Sequence, residues 1–328
     1  MEIISVKVGF ISHATVLNGA PITLVELVGE LARPSAPGLF AFGVPVAGPL
    51  LDKYPLPGVE LFLYGQTRFG REIPVGRPRI RGRLRKRISG RKISLVVANS
   101  LESFRAVEAA SELGLPVIWL IHEMVDGYQS RREWAEIRGA AARADRLVFN
   151  SRIARSQAEL LGAGVEGKSR VIYPGISLAR PEEGGSPITG PTYPERGSPV
   201  LGAIGDICPQ KGYADLIEAF ALLAGRFPEA RLVIAGRVPE KFRDFKGELD
   251  DRIRDLRLES RVRFSGEFFD LRRQLKEFDL FLHPSPSESF GRVVAEALAG
   301  EVPVVRVEFA EGARLGQPPA SPGTAGAS

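Results

Sequence analysis

Residues 278–305 read FDLFLHPSPSESFGRVVAEALAGEVPVV. An apolar run ends at His283, and a Pro/Ser-rich loop follows. Glu288-Ser289-Phe290-Gly291 then opens a stretch in which Val293, Val294, Ala297 and Leu298 recur at helical spacing, and a second apolar run begins at Pro303. The reading is strand, loop, helix, strand. Short, continuously apolar runs suit strands covered on both faces, as in a parallel sheet. A one-faced apolar helix between two such runs is the crossover a parallel sheet requires.

The same alternation extends outward. Further strands are expected at residues 200–204, 232–235 and 262–265, with Leu216, Ile217, Phe220 and Leu223 marking a helix face. Upstream lies PEEGGSPITGPTYPERGSP, residues 181–199, a Pro/Gly/Ser-rich stretch without apolar period that reads as a linker. Before it, strands are expected at 3–11, 59–63, 95–99, 117–122, 147–149 and 170–173. The expectation is an α/β protein of two doubly wound, Rossmann-like domains, residues 1–180 and 200–308, followed by a disordered tail at 309–328. In such folds ligands bind beyond the carboxyl ends of the strands.

Composition agrees and excludes other classes. The chain has 328 residues, 44% hydrophobic and 25% charged, which at roughly 100–200 residues per domain allows about two domains. Its 36 Gly and 25 Pro show no period, which excludes collagen and wholesale disorder. One cysteine, Cys208, cannot form an internal disulfide, and no Cys/His cluster has metal-ligand spacing; a reducing, cytoplasmic address fits. No run approaches the ~20 apolar residues of a membrane span. The apolar N-terminus carries Glu2 early and Lys7 mid-way, and so reads as a buried strand rather than a signal peptide.

The net charge of +5 is unevenly placed. Residues 1–180 hold 25 Lys+Arg against 16 Asp+Glu, and residues 181–328 hold 19 against 23. The run RPRIRGRLRKRISGRK from Arg77 to Lys92 has nine basic residues in sixteen, with Ile80, Leu84 and Ile88 spaced by four. A helix there would carry a narrow apolar stripe flanked by arginine. That suits an anionic membrane surface or lipid acceptor, peripheral at the inner face of the membrane, and equally a solvated helix. Nucleic acid is not expected, because no aromatic residues interleave the basic ones.

Gly162, Gly164 and Gly167 match a Gly-x-Gly-x-x-Gly pattern, but they follow a helical stretch (152–161) and precede a strand. A dinucleotide fingerprint requires the reverse order, so these glycines read as a helix stop. The opening stretch carries more chemistry. A helix start leaves backbone N–H groups unpaired and partly positive, and Gly291 lets a phosphate approach the N–H groups of Phe290, Gly291 and Arg292. Glu288 before the helix and Glu296 in its second turn could accept hydroxyl hydrogen bonds from one polyol ligand. Read alone, the stretch fits equally well a capped surface helix with two solvated carboxylates.

Glu288-Ser289-Phe290-Gly291 with Glu296 resembles the Glu-x-Phe-Gly-x4-Glu motif of the group 1 (family-four) retaining glycosyltransferases, which have the GT-B fold. Ala297-Leu298-Ala299-Gly300-Glu301-Val302-Pro303-Val304-Val305, the Val200–Leu223 stretch with Lys211-Gly212, Asn18-Gly19-Ala20, Ala98-Asn99-Ser100, Ile121-His122-Glu123 and Tyr173-Pro174-Gly175-Ile176 extend the likeness over about residues 3–308. The resemblance implies two Rossmann-like domains facing across a cleft. It also implies a nucleotide-diphosphate sugar as donor, retention of anomeric configuration, no cofactor and no metal; no Asp-x-Asp pair occurs. Carried over, it makes Glu288 a contact to donor sugar hydroxyls and Glu296 a contact to the ribose diol. Phe290, Gly291 and Arg292 would touch sugar or diphosphate, and Lys211 would neutralise the leaving diphosphate. Gly19 would admit the β-phosphate, and His122 would bond the transferred sugar. A core histidine is the other reading of His122, and a solvated turn lysine that of Lys211.

Two departures from the family pattern stand out. Asp206 occupies a position where many relatives have Arg, and a carboxylate beside a diphosphate repels it and would pair with Lys211, unless it turns away or another Arg substitutes. After Val305 the chain gives RVEFAEGARLGQPPASPGTAGAS, where relatives continue with a Gly-rich loop and bracing helices. The expectation is a second domain incomplete at its C-terminus. Two rivals to a transferase follow: an inactive remnant that at most binds nucleotide, and a nucleotide-sugar epimerase or hydrolase of the same fold.

Overall fold

A computed structural model describes residues 6–33, 35, 37–65, 67–68, 71–72, 77–176, 198–266 and 271–307, with no side-chain description at 67–68, 71–72, 77–78 and 272–273. The chain divides into two compact units, Met1–Gly175 and Ile176–Ser328. Of the expected linker only 198–199 are described, and the expected tail lies outside the described residues.

In the first unit, β1 (Val8–Ser12), α1 (Gly19–Ala32), β2 (Phe40–Val44), α2 (Pro49–Lys53) and β3 (Glu60–Leu63) build one flank. A two-residue hairpin, β4 (Thr67–Arg68) and β5 (Arg71–Glu72), leads to α3 (Arg77–Ser89). The other flank is β6 (Leu95–Asn99), α4 (Phe104–Glu112), β7 (Val117–Ile121), α5 (Trp134–Arg143), β8 (Arg146–Phe149), α6 (Arg152–Ser156) and β9 (Ser169–Val171). The seven-stranded sheet runs β3-β2-β1-β6-β7-β8-β9 with every pairing parallel. Ile11, Phe42, Ala98, Trp119 and Phe149 are buried in it, as continuous apolar strands between helical layers should be.

The second unit repeats the scheme: β10 (Val200–Ile204), α7 (Tyr213–Arg226), β11 (Arg231–Ala235), α8 (Arg243–Asp255), β12 (Val262–Gly266), α9 (Leu271–Leu275), β13 (Leu280–His283), α10 (Arg292–Ala299) and β14 (Val304–Arg306). Its five parallel strands are ordered β12-β11-β10-β13-β14. In both sheets chain order reverses beside the first strand, at β1/β6 and at β10/β13, and the loops after those strands diverge to leave a crevice.

Three sequence expectations need correction. No strand was expected at Phe40–Val44, which Pro and Gly flank on both sides; yet Ala41, Phe42 and Val44 are fully buried, between β1 and β3. Leu298 is 60% exposed and leaves the apolar face of α10 to Val293, Val294 and Ala297. The stripe of α3 exists but faces inward: Leu84 and Ile88 are buried and Ile80 packs on the same core. Arg81 lies 3.2 Å and Arg85 3.3 Å from the Glu112 carboxylate of α4. An apolar stripe consumed by the core offers a membrane nothing to insert. Among the described residues, no helix is long and apolar enough to cross a membrane.

Gly162 and Gly164 have φ of +134° and +77° and follow the 3-10 turn Ala158–Leu161 that continues α6, so they stop a helix, as expected; Gly167 instead lies within a further 3-10 turn, Glu166–Lys168.

Both tryptophans, Trp119 and Trp134, lie in the first unit, so their fluorescence during urea unfolding reports on it. Leu84→Ala is expected to cost about 2–4 kcal/mol there, whereas Arg79→Ala on the exposed face stays within about 0.5 kcal/mol. Equal small effects would contradict the inward stripe.

Candidate functional site

The crevice between β10 and β13 is framed by two loops. The first leaves β10 through Gly205, whose carbonyl accepts a 3.0 Å hydrogen bond from the Tyr213 hydroxyl and lies so close to Gly236 that a Cβ there would collide with it. Burial pushes the Tyr213 phenol well above its usual range, so it remains a donor. A 3-10 turn, Pro209–Lys211, then ends at Gly212 in the left-handed region (φ +68°). That position favours glycine, and the Pro284 carbonyl of the second loop fills the space a Cβ would need. Ser285 Oγ donates to the Gln210 carbonyl at 3.2 Å. The two loops are therefore locked together at Gly212–Pro284, and the site's side chains project from a shared base.

Lys211 and Glu288 meet at this junction. Lys211 lays its aliphatic stem against Gly205 and gives Nζ to Glu288 Oε1. The side chains are 28% and 19% exposed, so the pair is partly desolvated. His283 stands beneath them at the end of β13. Its Nε2 is 3.7 Å from the same carboxylate oxygen, and its side chain is 4% exposed. Burial is the main force holding the His283 pKa below its ordinary 6.5; Glu288 opposes it, and Lys211 and Arg306 reinforce it.

Gly291, left-handed at φ +72°, turns the chain into α10 with no side-chain cap. In the first turn of α10, Arg292 Nε donates to Glu296 Oε1 at 2.8 Å, the two side chains being 13% and 11% exposed. The reading of α10 as a capped surface helix with two solvated carboxylates therefore fails: the start is uncapped, and both carboxylates are sheltered and ion-paired. Glu288, Phe290, Gly291, Arg292 and Glu296 do cluster about one helix start, where partial positive charge and backbone donors favour an anion.

The expected conflict at Asp206 does not arise, because another arginine meets it. Its carboxylate takes Arg237 Nη2 at 2.8 Å and Nε at 3.4 Å, while Ile207 N–H donates to the Arg237 carbonyl at 2.8 Å. Arg237 lies two residues beyond the end of β11, and no sequence motif pairs it with Asp206. Its guanidinium offsets the acidic charge, so Lys211 pairs with Glu288 instead.

In the first unit the loops after β1, β6 and β7 meet. Asn99, fully buried, donates from Nδ2 to the Ala20 carbonyl at 3.1 Å. That turns Oδ1 toward His122 Nε2, 2.8 Å away. Nε2 must then carry the proton, leaving Nδ1 of the neutral ring as an acceptor. Glu123 clamps the turn by accepting from Ser100 Oγ, and from Leu101 N–H and His122 N–H at 3.1 Å each. Ser100 itself has φ +77°, a strained setting of the kind that gathers at functional loops. His122 is half-buried, with one nitrogen fixed by Asn99. Sequence reading picked out His122 but not the partners that orient it. Gly19 begins α1, and a Cβ there would meet nothing within 4 Å, so the described protein does not itself demand glycine. Among the described residues, no three His, Cys, Asp or Glu could hold a metal.

The lowered His283 pKa makes a pH prediction. The unfolded chain takes up a proton near 6.5 while the folded one resists, so the stability from neutral burial is complete above pH 6.5 and is lost as pH falls toward the folded value. His283→Asn should flatten the acid side of the calorimetric Tm profile between pH 7.5 and 5. An unchanged slope would contradict the buried neutral ring.

Known proteins resemble both units. The family model described as Glycosyltransferase Family 4 matches residues 17–180, and the one described as Glycosyl transferases group 1 matches 193–314. Among solved structures, Anabaena Alr3699/HepE in complex with UDP and glucose superposes with a TM-score of 0.74 at 23% identity, over 92% of this chain and 80% of that one. Sucrose-phosphate synthase (tll1590) from Thermosynechococcus elongatus gives 0.68 at 17% identity, over 92% and 81%. At these identities the likeness is one of fold. Mannosylfructose-phosphate synthase of Agrobacterium fabrum is 38% identical over 111 residues, a match spanning 32% of this chain and 24% of that protein. With two parallel α/β units and family matches along both, the chain belongs to the group 1 glycosyltransferases.

Proposed function

We propose that the protein is a retaining glycosyltransferase that moves a sugar from a nucleoside-diphosphate sugar to a saccharide or lipid acceptor without a metal. The observation carrying this reading is the meeting of Lys211 and Glu288 at the uncapped start of α10, with Glu296 sheltered one turn further on. Lys211 and the start of α10 face the charge that grows on a leaving diphosphate, and placed cations and backbone dipoles there are the largest single lever on such a transition state. Glu288 accepts from hydroxyls of the donor sugar, and Glu296 from the ribose diol. Backbone groups of Phe290, Gly291 and Arg292 line the diphosphate path.

On the first unit, Gly19 leaves space at the start of α1 for a phosphate, and His122 bonds the transferred sugar. No side chain is assigned as a nucleophile; the acceptor attacks from the face the diphosphate leaves, which accounts for retention. Anabaena Alr3699/HepE has been crystallised with UDP-glucose, which makes UDP-glucose the first donor to try.

Thermal-shift titration with UDP, GDP, ADP and dTDP tests the donor site. One nucleotide at a hundredfold excess over its Kd should add roughly 2.7 kcal/mol of stability, and both Lys211→Ala and Glu296→Ala should weaken that shift. No shift from a cooperatively melting protein would overturn the reading. Binding without turnover would leave a nucleotide-binding remnant, and sugar release without acceptor would indicate a hydrolase.

A further inference from the structure

His283 is a buried polar group that the proposed chemistry does not use. Its Nε2 has no hydrogen-bond partner, although it lies 3.7 Å from Glu288 Oε1. Buried polar atoms are rarely left unbonded, because desolvation without a partner is costly. Its surroundings explain the vacancy. Phe281 lies beside the ring, with centroids 6.3 Å apart and planes 26° from parallel. The charged groups that face it are Glu288 from the following loop, Lys211 from the turn before α7, and Arg306, its register partner on β14. Of these only Glu288 can accept from Nε2, and its Oε1, held by Lys211, lies 3.7 Å away, beyond hydrogen-bond reach.

On the donor reading above, this arrangement changes once the site is filled. Lys211 carries a single positive charge, and a diphosphate with its two negative groups draws that charge away from Glu288. Released, Glu288 loses its cation, and a carboxylate aimed at sugar hydroxyls needs something to hold its direction. We propose that His283 is a positioning residue: its Nε2–H takes over the Glu288 carboxylate when Lys211 turns to the diphosphate, and holds Glu288 toward the donor sugar. A neutral imidazole suffices, because Nε2–H is a donor in that tautomer. Two partners thus exchange over one oxygen, Lys211 without donor and His283 with it.

Calorimetric titration with UDP and with UDP-glucose tests the exchange on the wild type, His283→Leu and His283→Gln. UDP affinity should stay within about twofold throughout, since His283 acts through the sugar-facing carboxylate. UDP-glucose should bind about tenfold more weakly to His283→Leu, a loss of about 1.4 kcal/mol, and His283→Gln, which restores an N–H donor, should recover most of it. Equal losses for both ligands, or none, would overturn the proposal. If the wild type binds neither, the donor reading itself has failed, and a ligand-free measurement still judges His283. In 15N NMR, Lys211→Met should move His283 Nε2 to the shift of a hydrogen-bonded N–H, and adding Glu288→Gln should reverse the change. An Nε2 shift unmoved by Lys211→Met would refute the exchange.

Discussion

The reversal of strand order beside β10 governs everything else at the site. Because β11 lies to one side of β10 and β13 to the other, the loops that leave β10 and β13 must part, and the gap opens where both strands end. A gap alone would be shapeless. Gly212, held left-handed against the Pro284 carbonyl, ties the loops together at their base. A side chain at that glycine would push them apart and separate Lys211 from Glu288. The constraint is steric and local, yet it decides whether a cation and a carboxylate stand side by side.

Electrostatics then act on a prepared frame. An ion pair at 28% and 19% exposure is screened less than a surface pair and still remains accessible. Without ligand, the two charges satisfy each other. On the proposed donor reading, a diphosphate competes for Lys211 with two negative groups and the helix start behind them, and sugar hydroxyls replace the ammonium on Glu288. Asp206, beside this exchange, is kept from interfering by Arg237.

Much of this was legible in the sequence, for reasons that can be named. Strands buried on both faces leave continuous apolar runs, so β6, β10 and β13 were placed at their observed ends. β2 escaped because its flanking prolines and glycines carry a stronger local signal than five residues of strand, although the neighbouring strands decide its fate. The basic run at α3 misled in a different way. Its spacing foretold an apolar stripe, but spacing does not say what the stripe will meet, and here it meets the core. The Glu288 and Glu296 motif was visible as a pattern tied to a helix start. Asp206–Arg237, Asn99–His122 and His283–Glu288 were not, since each joins residues from different loops that only the assembled sheet brings together.

On the proposed reading Lys211 changes partners when donor binds, and a crystal structure of the protein with UDP observes that directly. That reading predicts Lys211 Nζ within hydrogen-bonding distance of a diphosphate oxygen, the ribose diol on Glu296, and the Lys211–Glu288 contact broken. UDP bound elsewhere, or bound at α10 with Lys211 still closed on Glu288, would contradict it.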